Sequence, residues 1–403
     1  MPNSMKSSSN GLLAQVSTAH LISHLHIMAV PAMLPLLPAA MRVSFVELGV
    51  ALGVFNVVSA LVQAPLGFIV DRVGAKRMLL AALALGSFSF ALVAALPTYA
   101  WLLVAMGLAG LANGVYHPAD YSLLSHGIPS ERMGRAFSIH TFAGFLGASL
   151  APPLMVGVAL AWAPRWSFAV AAVAGLIALG VVAIRSNQST KMEGTEPIRK
   201  TKASTRPLTT PLGTLAVLTL LFTMLSLSTG AIEKFSVSAL VQGFDVTLPS
   251  ANLALTVFMF ASAFGVLAGG VLADRTNKHG YVAAGAFALA AVIVVVVIGA
   301  ALPPLALALA LGAVGFLTGI VAPSRDMLVR AASPAGAEGR TFGIVSTGFN
   351  VGGVIGPILF GFLLDRGLAS GVLWASVCFM GITTVIVLLQ EWRGNTQPAL
   401  ASR

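Results

Sequence analysis

Residues 78–96 of this 403-residue chain have the sequence MLLAALALGSFSFALVAAL, a run that contains no charged side chain. A helix needs about 20 apolar residues to cross the hydrocarbon core of a bilayer. Lipid offers no hydrogen-bond partner to the backbone, so only helices and closed β-barrels span membranes. A barrel strand would alternate apolar and polar residues over about ten positions, and this run does not. We therefore predict that residues 78–96 form a membrane-spanning helix.

The composition of the whole chain extends this prediction to the rest of the molecule. Hydrophobic residues make up 57% of the chain and charged residues only 9%, whereas a soluble domain carries about 25% charged residues. So few charges cannot cover a water-facing surface, and most of the surface must therefore face lipid. The composition predicts an all-α membrane protein.

Apolar runs separated by charged or Pro- and Gly-rich breaks predict twelve transmembrane helices. The longest polar stretch divides them into two sets of six. We predict an N-terminal six-helix bundle (1–185), a cytoplasmic linker (186–211) and a C-terminal six-helix bundle (212–403). The predicted spans are 13–39, 45–70, 77–97, 99–126, 134–160, 165–185, 212–242, 249–273, 280–301, 303–331, 339–364 and 369–390.

The positions of the basic residues predict the orientation of these spans. Of the 23 Lys and Arg residues, 18 lie at the termini, in connections after even-numbered spans or at the span ends that border these connections, three lie after odd-numbered spans and two lie deeper within spans. Lys- and Arg-rich connections stay in the cytoplasm, so both termini are predicted to be cytoplasmic, in a bacterial inner membrane. The net charge of +10 is thus explained by topology and does not indicate nucleic-acid binding.

Two stretches of the first half recur in the second half. At least seven residues from Gly114 to Pro152 are identical to their counterparts from Gly319 to Pro357, at one offset of 205 and without a gap. Repeated halves are typical of carriers that bind their substrate near the middle of the membrane. We therefore predict two pseudo-symmetric bundles. A shorter repeat at an offset of 203 matches Gly67, Asp71 and Arg72 to Gly270, Asp274 and Arg275.

Residues 67–77, after the second span, have the sequence GFIVDRVGAKR. This sequence resembles the signature loop of the major facilitator superfamily: a glycine, three residues, Asp-Arg, one residue, a second glycine and then basic residues. In the second copy, Asn277 stands where the second glycine is expected. The resemblance covers the whole chain and implies the fold and the transport activity of that superfamily.

We predict that this loop forms a cytoplasmic gate. Gly67 would allow helices to approach closely, and charge pairs at the helix ends would hold the cytoplasmic side closed in one state and release it in another. A tight turn with topogenic positive charge is the simpler alternative. The predicted gate residues are Gly67, Asp71, Arg72, Gly74, Arg77, Asp274 and Arg275.

Within the superfamily, the sequence most resembles efflux carriers of the fosmidomycin-resistance group. The resemblance is carried by residues 23–25 (Ser-His-Leu) in the first span, residues 115–118 (Val-Tyr-His-Pro) in the fourth and the small-residue run 144–153 in the fifth. It implies export of a small anionic or drug-like molecule.

Small residues in the fifth and eleventh spans predict tightly packed helices. The fifth-span run also resembles the antiporter motif of drug exporters, although Ala151 replaces the glycine expected before proline and the eleventh span fits the pattern better. The predicted packing residues are Gly144, Gly147, Pro152, Gly352, Gly356 and Pro357.

Ionisable residues within spans cost about 2.5–3.5 kcal/mol each on insertion scales, so they mark a functional pathway by default. His20 and His24 are four residues apart and share a helix face, whereas His26 points elsewhere. A metal site among these histidines is the weaker interpretation, because the sequence places no second group of ligands beside them. The predicted pathway residues are His20, His24, His117, Asp120, His140, Glu233, Lys234, Arg325, Asp326 and Asn350.

Charged residues in the two halves suggest how transport could be coupled to the movement of protons. Asp120 aligns with Arg325 at the offset of 205, which predicts either a cytoplasmic gate or a proton-linked pair; a structural partnership of Asp120 with Arg72 or Arg77 is the alternative. A carboxyl group takes up a proton more readily in a low-dielectric cavity, and imidazole titrates near neutrality.

Two further roles follow from these properties. Glu233 and His24 are the predicted proton carriers. Lys234 and Arg325 provide positive charge that suits a phosphonate or carboxylate. Internal salt bridges that only orient helices remain the alternative for these charges.

The sequence contains no phosphate-binding loop and no catalytic constellation. We therefore predict a monomeric secondary carrier without cofactor, metal or enzymatic activity, which exports a small anionic or drug-like molecule in exchange for protons. Proton-coupled uptake of an organic acid is one alternative. Another alternative is a membrane protein that does not transport, either a sensor or an integral membrane enzyme. The duplicated gate loop argues against the sensor and against the enzyme.

Overall fold

A computed structural model of the chain describes residues 3–129, 132–184, 211–276, 278–333 and 338–396, and these residues form helices and connecting turns without a β-strand. The long helices of the first half are α1 (Asn3–Met33), α2 (Phe45–Val73), α3 (Ala75–Ala95), α4 (Tyr99–Gly127), α5 (Met133–Ala161) and α6 (Pro164–Ile184). Those of the second half are α7 (Leu212–Gly243), α8 (Leu248–Arg275), α9 (His279–Gly299), α10 (Pro304–Ala332), α11 (Glu338–Asp365) and α12 (Ala369–Thr396).

Eleven of these helices are long and apolar enough to cross a membrane. This finding confirms the prediction of an all-α membrane protein with many spans. Helix α1 is not among the eleven, although it has 31 residues. Its Gln15 and its three histidines lower its mean hydropathy, and Gln15, His20 and His26 are buried within the protein. The twelfth span therefore depends on α1 and stays a prediction.

The chain divides into two compact units, residues 1–198 and 199–403. The predicted linker, residues 186–211, lies outside the described residues except for Pro211. The boundaries predicted for the two bundles and the linker therefore stay predictions.

Local sequence explains several helix ends. Helix α1 ends at Met33, earlier than the predicted boundary at 39, because Pro35 disfavours helical backbone at the residue before it; a short helix, Leu37–Met41, follows. Ser44 and Glu47 form a capping box that starts α2. Gly74, between α2 and α3, has φ +102°, a conformation that favours glycine.

The two units repeat one packing scheme. In the N-terminal unit α1 packs on α5, α2 on α4, and α3 on both α4 and α6. In the C-terminal unit α7 packs on α11, α8 on α10, and α9 on both α10 and α12. Each contact of one unit therefore has its counterpart six helices later.

Glycines allow the closest of these contacts. A Cβ at Gly147 in α5 would overlap the backbone carbonyl oxygen of Leu21 in α1. A Cβ at Gly352 in α11 would lie 3.0 Å from the carbonyl oxygen of Thr223 in α7 and 2.7 Å from Ser226 Oγ. Because glycine has no side chain, these positions allow α1 to approach α5 closely and α7 to approach α11 in the same way.

Candidate functional site

Ionisable residues from three helices meet inside the N-terminal unit, where α1, α4 and α5 converge. His20 Nδ1 of α1 lies 3.3 Å from Asp120 Oδ2 of α4, and His140 Nε2 of α5 lies 3.7 Å from the same oxygen. The rings of His20 and His140 stack with centroids 3.8 Å apart. Asp120 is 0% exposed, His140 2% and His20 5%. We call these three residues the His–Asp cluster.

Three more side chains connect the His–Asp cluster to accessible space. The rings of His24 and His117 have centroids 4.6 and 5.5 Å from that of His20, and the Tyr121 ring lies 6.3 Å from that of His140. His24 is half-buried, whereas His117 and Tyr121 are exposed. The polar groups thus run from a fully buried carboxylate to an accessible edge.

A small residue makes room for the rings. A Cβ at Gly144, one turn after His140 in α5, would lie 2.7 Å from His20 Nε2 and 3.1 Å from His24 Cδ2. The sequence predicts Gly144 as a helix-packing residue, but the atoms it accommodates are imidazole atoms of α1. Gly144 therefore leaves space for the imidazole rings of His20 and His24.

An apolar group closes one side of the His–Asp cluster. Its buried members are Val16, Leu124, Ile128 and Ala136. Val16 precedes His20 by four residues, Leu124 follows Asp120 by four, and Ala136 precedes His140 by four. Residues four apart in a helix lie on one face, about one turn from each other. The apolar group therefore lies about one helical turn from the cluster on each of its three helices.

The polar atoms of the His–Asp cluster are not satisfied by hydrogen bonds. Both carboxylate oxygens of Asp120, His20 Nδ1 and His140 Nδ1 are buried without a hydrogen-bond partner among the described residues. The two imidazole–carboxylate pairs are close enough for ion pairs, but they lack hydrogen-bond geometry. A buried charge without a partner is costly, and a bound proton or cation would offset that cost. The arrangement can therefore bind one or the other.

His26 belongs to a different environment from the other two histidines of α1. Its Nε2–H donates a hydrogen bond to the carbonyl oxygen of Ala171 in α6, at 2.9 Å. The ring packs on Phe90, with centroids 4.7 Å apart. His26 thus ties α1 to α6, in agreement with the prediction that it points away from the face that His20 and His24 share.

The C-terminal unit arranges its charges differently. Arg325 of α10 donates hydrogen bonds to its neighbour Asp326, with Nε 2.8 Å and Nη2 2.7 Å from Oδ1. Its guanidinium also lies 5.1 Å from the Phe222 ring centroid and 5.0 Å from that of Phe349. The predicted positive charge is thus held between two aromatic rings and partly neutralised by an exposed carboxylate.

Glu233 and Lys234 lie in a single π-helical turn, Ala231–Phe235, within α7. Both are half-buried, and within the described part of the chain neither forms a hydrogen bond or a salt bridge through its side chain. Turns of this kind are frequent at functional sites. Asn350, on α11, is half-buried as well. These three residues belong to the C-terminal unit.

The predicted gate residues lie at corresponding helix ends of the two units. Gly74 separates α2 from α3, and the side chains of its first-half neighbours Asp71, Arg72 and Arg77 are exposed. In the second half, Asp274 and Arg275 are exposed at the end of α8. A Cβ at Gly67 would meet only Pro118 Cβ, at 4.0 Å, so Gly67 is not a point of close helix approach in this conformation.

The remaining packing residues lie inside long helices. Pro152 is a buried residue within α5, and Pro357 lies within α11. A Cβ at Gly356 would lie 3.1 Å from Phe360 and 3.3 Å from Leu227 of α7. Gly356 therefore faces α7 like Gly352, but with side-chain atoms as its neighbours.

Sequence reasoning names every residue of the His–Asp cluster but does not join them. It finds no ligand group beside the histidines of α1, whereas the structure places Asp120 and His140 there. It also offers Arg72 or Arg77 as a structural partner of Asp120, whereas in the structure His20 and His140 are the residues next to the Asp120 carboxylate. Tyr121 was missed altogether; its spacing of one residue from Asp120 and four from His117 was the available signal.

Comparisons with known proteins agree with this architecture. A family model described as Major Facilitator Superfamily matches residues 16–235 and 234–401. The chain is 26% identical over 270 residues to the fosmidomycin resistance protein of Escherichia coli (strain K12), and the match covers 66% of each chain. It is 25% identical over 399 residues to the tetracycline resistance protein, class E, of Escherichia coli, covering 93% of this chain and 94% of the relative.

A solved structure shows the same fold. A bacterial homolog of the human lysosomal transporter Spinster, crystallised in an inward-facing and occupied conformation, matches with a TM-score of 0.73. The alignment covers 96% of this chain and 97% of that chain at 13% identity. At this level of identity the match concerns the fold alone.

Proposed function

Because this chain belongs to the Major Facilitator Superfamily, we propose that it is a secondary active transporter that exports a small anionic or drug-like molecule in exchange for protons. The observation that carries the proposal is the His–Asp cluster, which lies buried where α1 meets α4 and α5, two helices that are long and apolar enough to span a membrane. Ionisable groups in such surroundings are costly and mark ion or proton pathways.

Proton binding follows from the shape of the cluster. Asp120 is fully buried and its oxygens have no hydrogen-bond donor among the described side chains, so uptake of a proton removes an unsatisfied charge. His20 and His140 both face the same oxygen, and His24 and His117 lead from His20 to accessible space. Imidazole groups exchange protons near neutral pH, so this row of rings is suited to deliver protons to Asp120. Glu233, in the π-helical turn of α7, is the second candidate.

The substrate class is supported by two lines of reasoning. Two relatives named above are a fosmidomycin resistance protein and a tetracycline resistance protein, and resistance to such compounds is consistent with their export. In addition, Lys234 and Arg325 place positive charge inside the C-terminal unit, where a phosphonate or carboxylate would find a partner. Arg325 is less available than Lys234, because Asp326 already occupies its guanidinium.

The proposed topology has twelve spans, with α1 as the first and both termini in the cytoplasm of a bacterial cell. The basic residues at the connections after even-numbered spans support this orientation. The predicted linker would then join two six-helix bundles on the cytoplasmic side, and the gate residues at the ends of α2 and α8 would lie on that same side. We propose that the protein works as a monomer by alternating access.

The test is flux in proteoliposomes with an imposed pH gradient. Phosphonates, carboxylates and lipophilic cations are offered in turn to wild-type protein and to the variants Asp120→Asn, His24→Ala and Glu233→Gln. His126→Ala is the matched control, because His126 is an exposed histidine on α4 that forms a hydrogen bond to the Ser122 carbonyl of its own helix. We expect substrate to move against the direction of proton flow, and we expect Asp120→Asn to lose this movement while the control keeps it.

Other outcomes would replace the proposal. Accumulation of substrate in the same direction as protons would favour the alternative of proton-coupled uptake. Flux that is independent of pH, with full activity in all three variants, would show that Asp120, His24 and Glu233 do not couple transport to protons. No flux with any of these compounds, in protein that is correctly folded, would favour a sensor over a transporter.

A further inference from the structure

We propose that the His–Asp cluster binds one divalent transition-metal ion of the Zn²⁺ type. The inference goes beyond the proposed transport and does not depend on it, because it concerns binding to the resting protein. His20, Asp120 and His140 each offer one ligand atom, and all three atoms lie within 4.8 Å of one another. The prediction of no metal site from sequence rested on the apparent lack of ligands beside α1, which the structure supplies.

The spacing of the ligand atoms fits a tetrahedral ion. Zinc lies about 2.0–2.2 Å from nitrogen and oxygen ligands, so neighbouring ligand atoms around it are about 3.3–3.5 Å apart. His20 Nδ1 and Asp120 Oδ2 are 3.3 Å apart, and His140 Nε2 is 3.7 Å from the same oxygen. Two of the three edges thus have nearly the required length. The third, between His20 and His140, is at most 4.8 Å long.

The chemistry of the ligands selects the class of ion. Imidazole with carboxylate suits zinc and neighbouring transition metals, whereas magnesium and calcium prefer oxygen ligands alone. Three protein ligands leave a fourth position for water or another ligand. The half-buried ring of His24, with its centroid 4.6 Å from that of His20, places a further imidazole beside these ligands.

The unsatisfied atoms give an independent reason for a bound ion. Two carboxylate oxygens and two imidazole nitrogens are buried here without a hydrogen bond to a described residue. Such groups are normally paired in folded proteins. An ion bonded to Asp120 Oδ2, His20 Nδ1 and His140 Nε2 would satisfy two of them at once. Protons bind to the same ligand atoms, so protons and the metal ion would compete for this site.

The experiment measures zinc binding to the full chain, purified with a histidine-free affinity tag and stripped with chelator. Isothermal titration with ZnCl₂ is carried out on wild type, on His20→Ala, Asp120→Asn and His140→Ala, and on the control His126→Ala. We expect about one Zn²⁺ per chain in wild type and control. Loss of an outer-shell partner of a metal costs about 10–100-fold in affinity, and we expect at least that loss when a direct ligand is removed.

A second measurement needs no substitution. X-ray absorption at the zinc edge of the wild-type complex should show at least two imidazole ligands at the bonding distances given above. Absence of saturable binding in wild type, equal binding in the three cluster variants, or a ligand shell of oxygen alone would each overturn the inference. Zinc binding without flux would count against the proposed function only, and flux without zinc binding against this inference only.

Discussion

The two units share one packing scheme but fill the same place in it with opposite charge. The carbonyl of Leu21 faces Gly147 in the first unit, and that of Thr223 faces Gly352 in the second. The residues just before these carbonyls, His20 and Phe222, therefore occupy equivalent positions.

The neighbours of these two residues are equivalent as well. At the offset of 205, Asp120 corresponds to Arg325 and Gly144 to Phe349. The first unit thus has a carboxylate among imidazoles, with a glycine that leaves room for them. The second has a guanidinium between two phenyl rings. A duplicated backbone has kept its glycine contacts between helices, while the side chains beside those contacts have diverged toward different chemistry.

The largest effect is expected from replacing the charged side chains of the equivalent pair Asp120 and Arg325 with neutral ones. Asp120→Asn should reduce proton-driven flux to the level of protein-free liposomes, because the buried proton acceptor is lost. Arg325→Gln should keep the response to the pH gradient and raise the KM for an anionic substrate about tenfold, which corresponds to roughly 1.4 kcal/mol. Flux assays at several gradients and substrate concentrations separate the two effects. Equal loss of gradient response in both variants would contradict the division of roles.

The shared glycine contacts should have effects of similar size in the two units. Gly147→Ala and Gly352→Ala force a methyl group against a neighbouring helix, and overpacking costs about 1–3 kcal/mol. The matched controls are Gly157→Ala in α5 and Gly343→Ala in α11, where a Cβ would meet no described atom within 4 Å. These controls should be neutral or stabilising by about 0.5–1 kcal/mol, because alanine is the better helix former.

The measurement for these four variants is thermal unfolding in detergent. A lower Tm for the two contact variants, and an unchanged or higher Tm for the two controls, is expected. A stable Gly352→Ala beside an unstable Gly147→Ala would show that the two units do not depend equally on this contact.

Within the first unit, the structural and functional histidines should separate. His26→Ala removes a buried hydrogen bond to the Ala171 carbonyl, and such a bond contributes about 0.5–1.5 kcal/mol. His126→Ala, at an exposed position, should change stability by less than about 0.5 kcal/mol. Neither should alter the dependence of flux on the pH gradient in liposomes. A changed dependence in His26→Ala would join His26 to the proton pathway.

The smallest effect is expected at the repeated glycines of the gate motif. A Cβ at Gly67 meets one atom at ordinary contact distance, and a Cβ at Gly270 meets no described atom within 4 Å. Gly67→Ala and Gly270→Ala should therefore change the free energy of unfolding by less than about 0.5 kcal/mol in the destabilising direction. If these glycines are needed to close the cytoplasmic gate in another conformation, the variants should lose flux while keeping their Tm. Comparison of flux with Tm therefore tests the role of the gate.

Much of the fold could be read from local patterns. The long apolar runs predicted helices, and the loop GFIVDRVGAKR predicted a membership that the family model confirms. The site was harder to predict. His24 was favoured for its resemblance to relatives, yet the fully buried residues are His20, Asp120 and His140. Their positions in sequence are far apart, and no periodicity within one helix shows which residues of another helix it will meet.

The sequence by itself determined the helices and the family, because backbone hydrogen bonds close within each helix and lipid requires a continuous apolar surface. It also determined which side chains are chemically unusual in such surroundings. Only the tertiary structure decided that His20, Asp120 and His140 meet, whereas Arg325 lies between Phe222 and Phe349. The reason is that glycines such as Gly147 set how α1 and α5 approach, and so fix which side chains share the space between them.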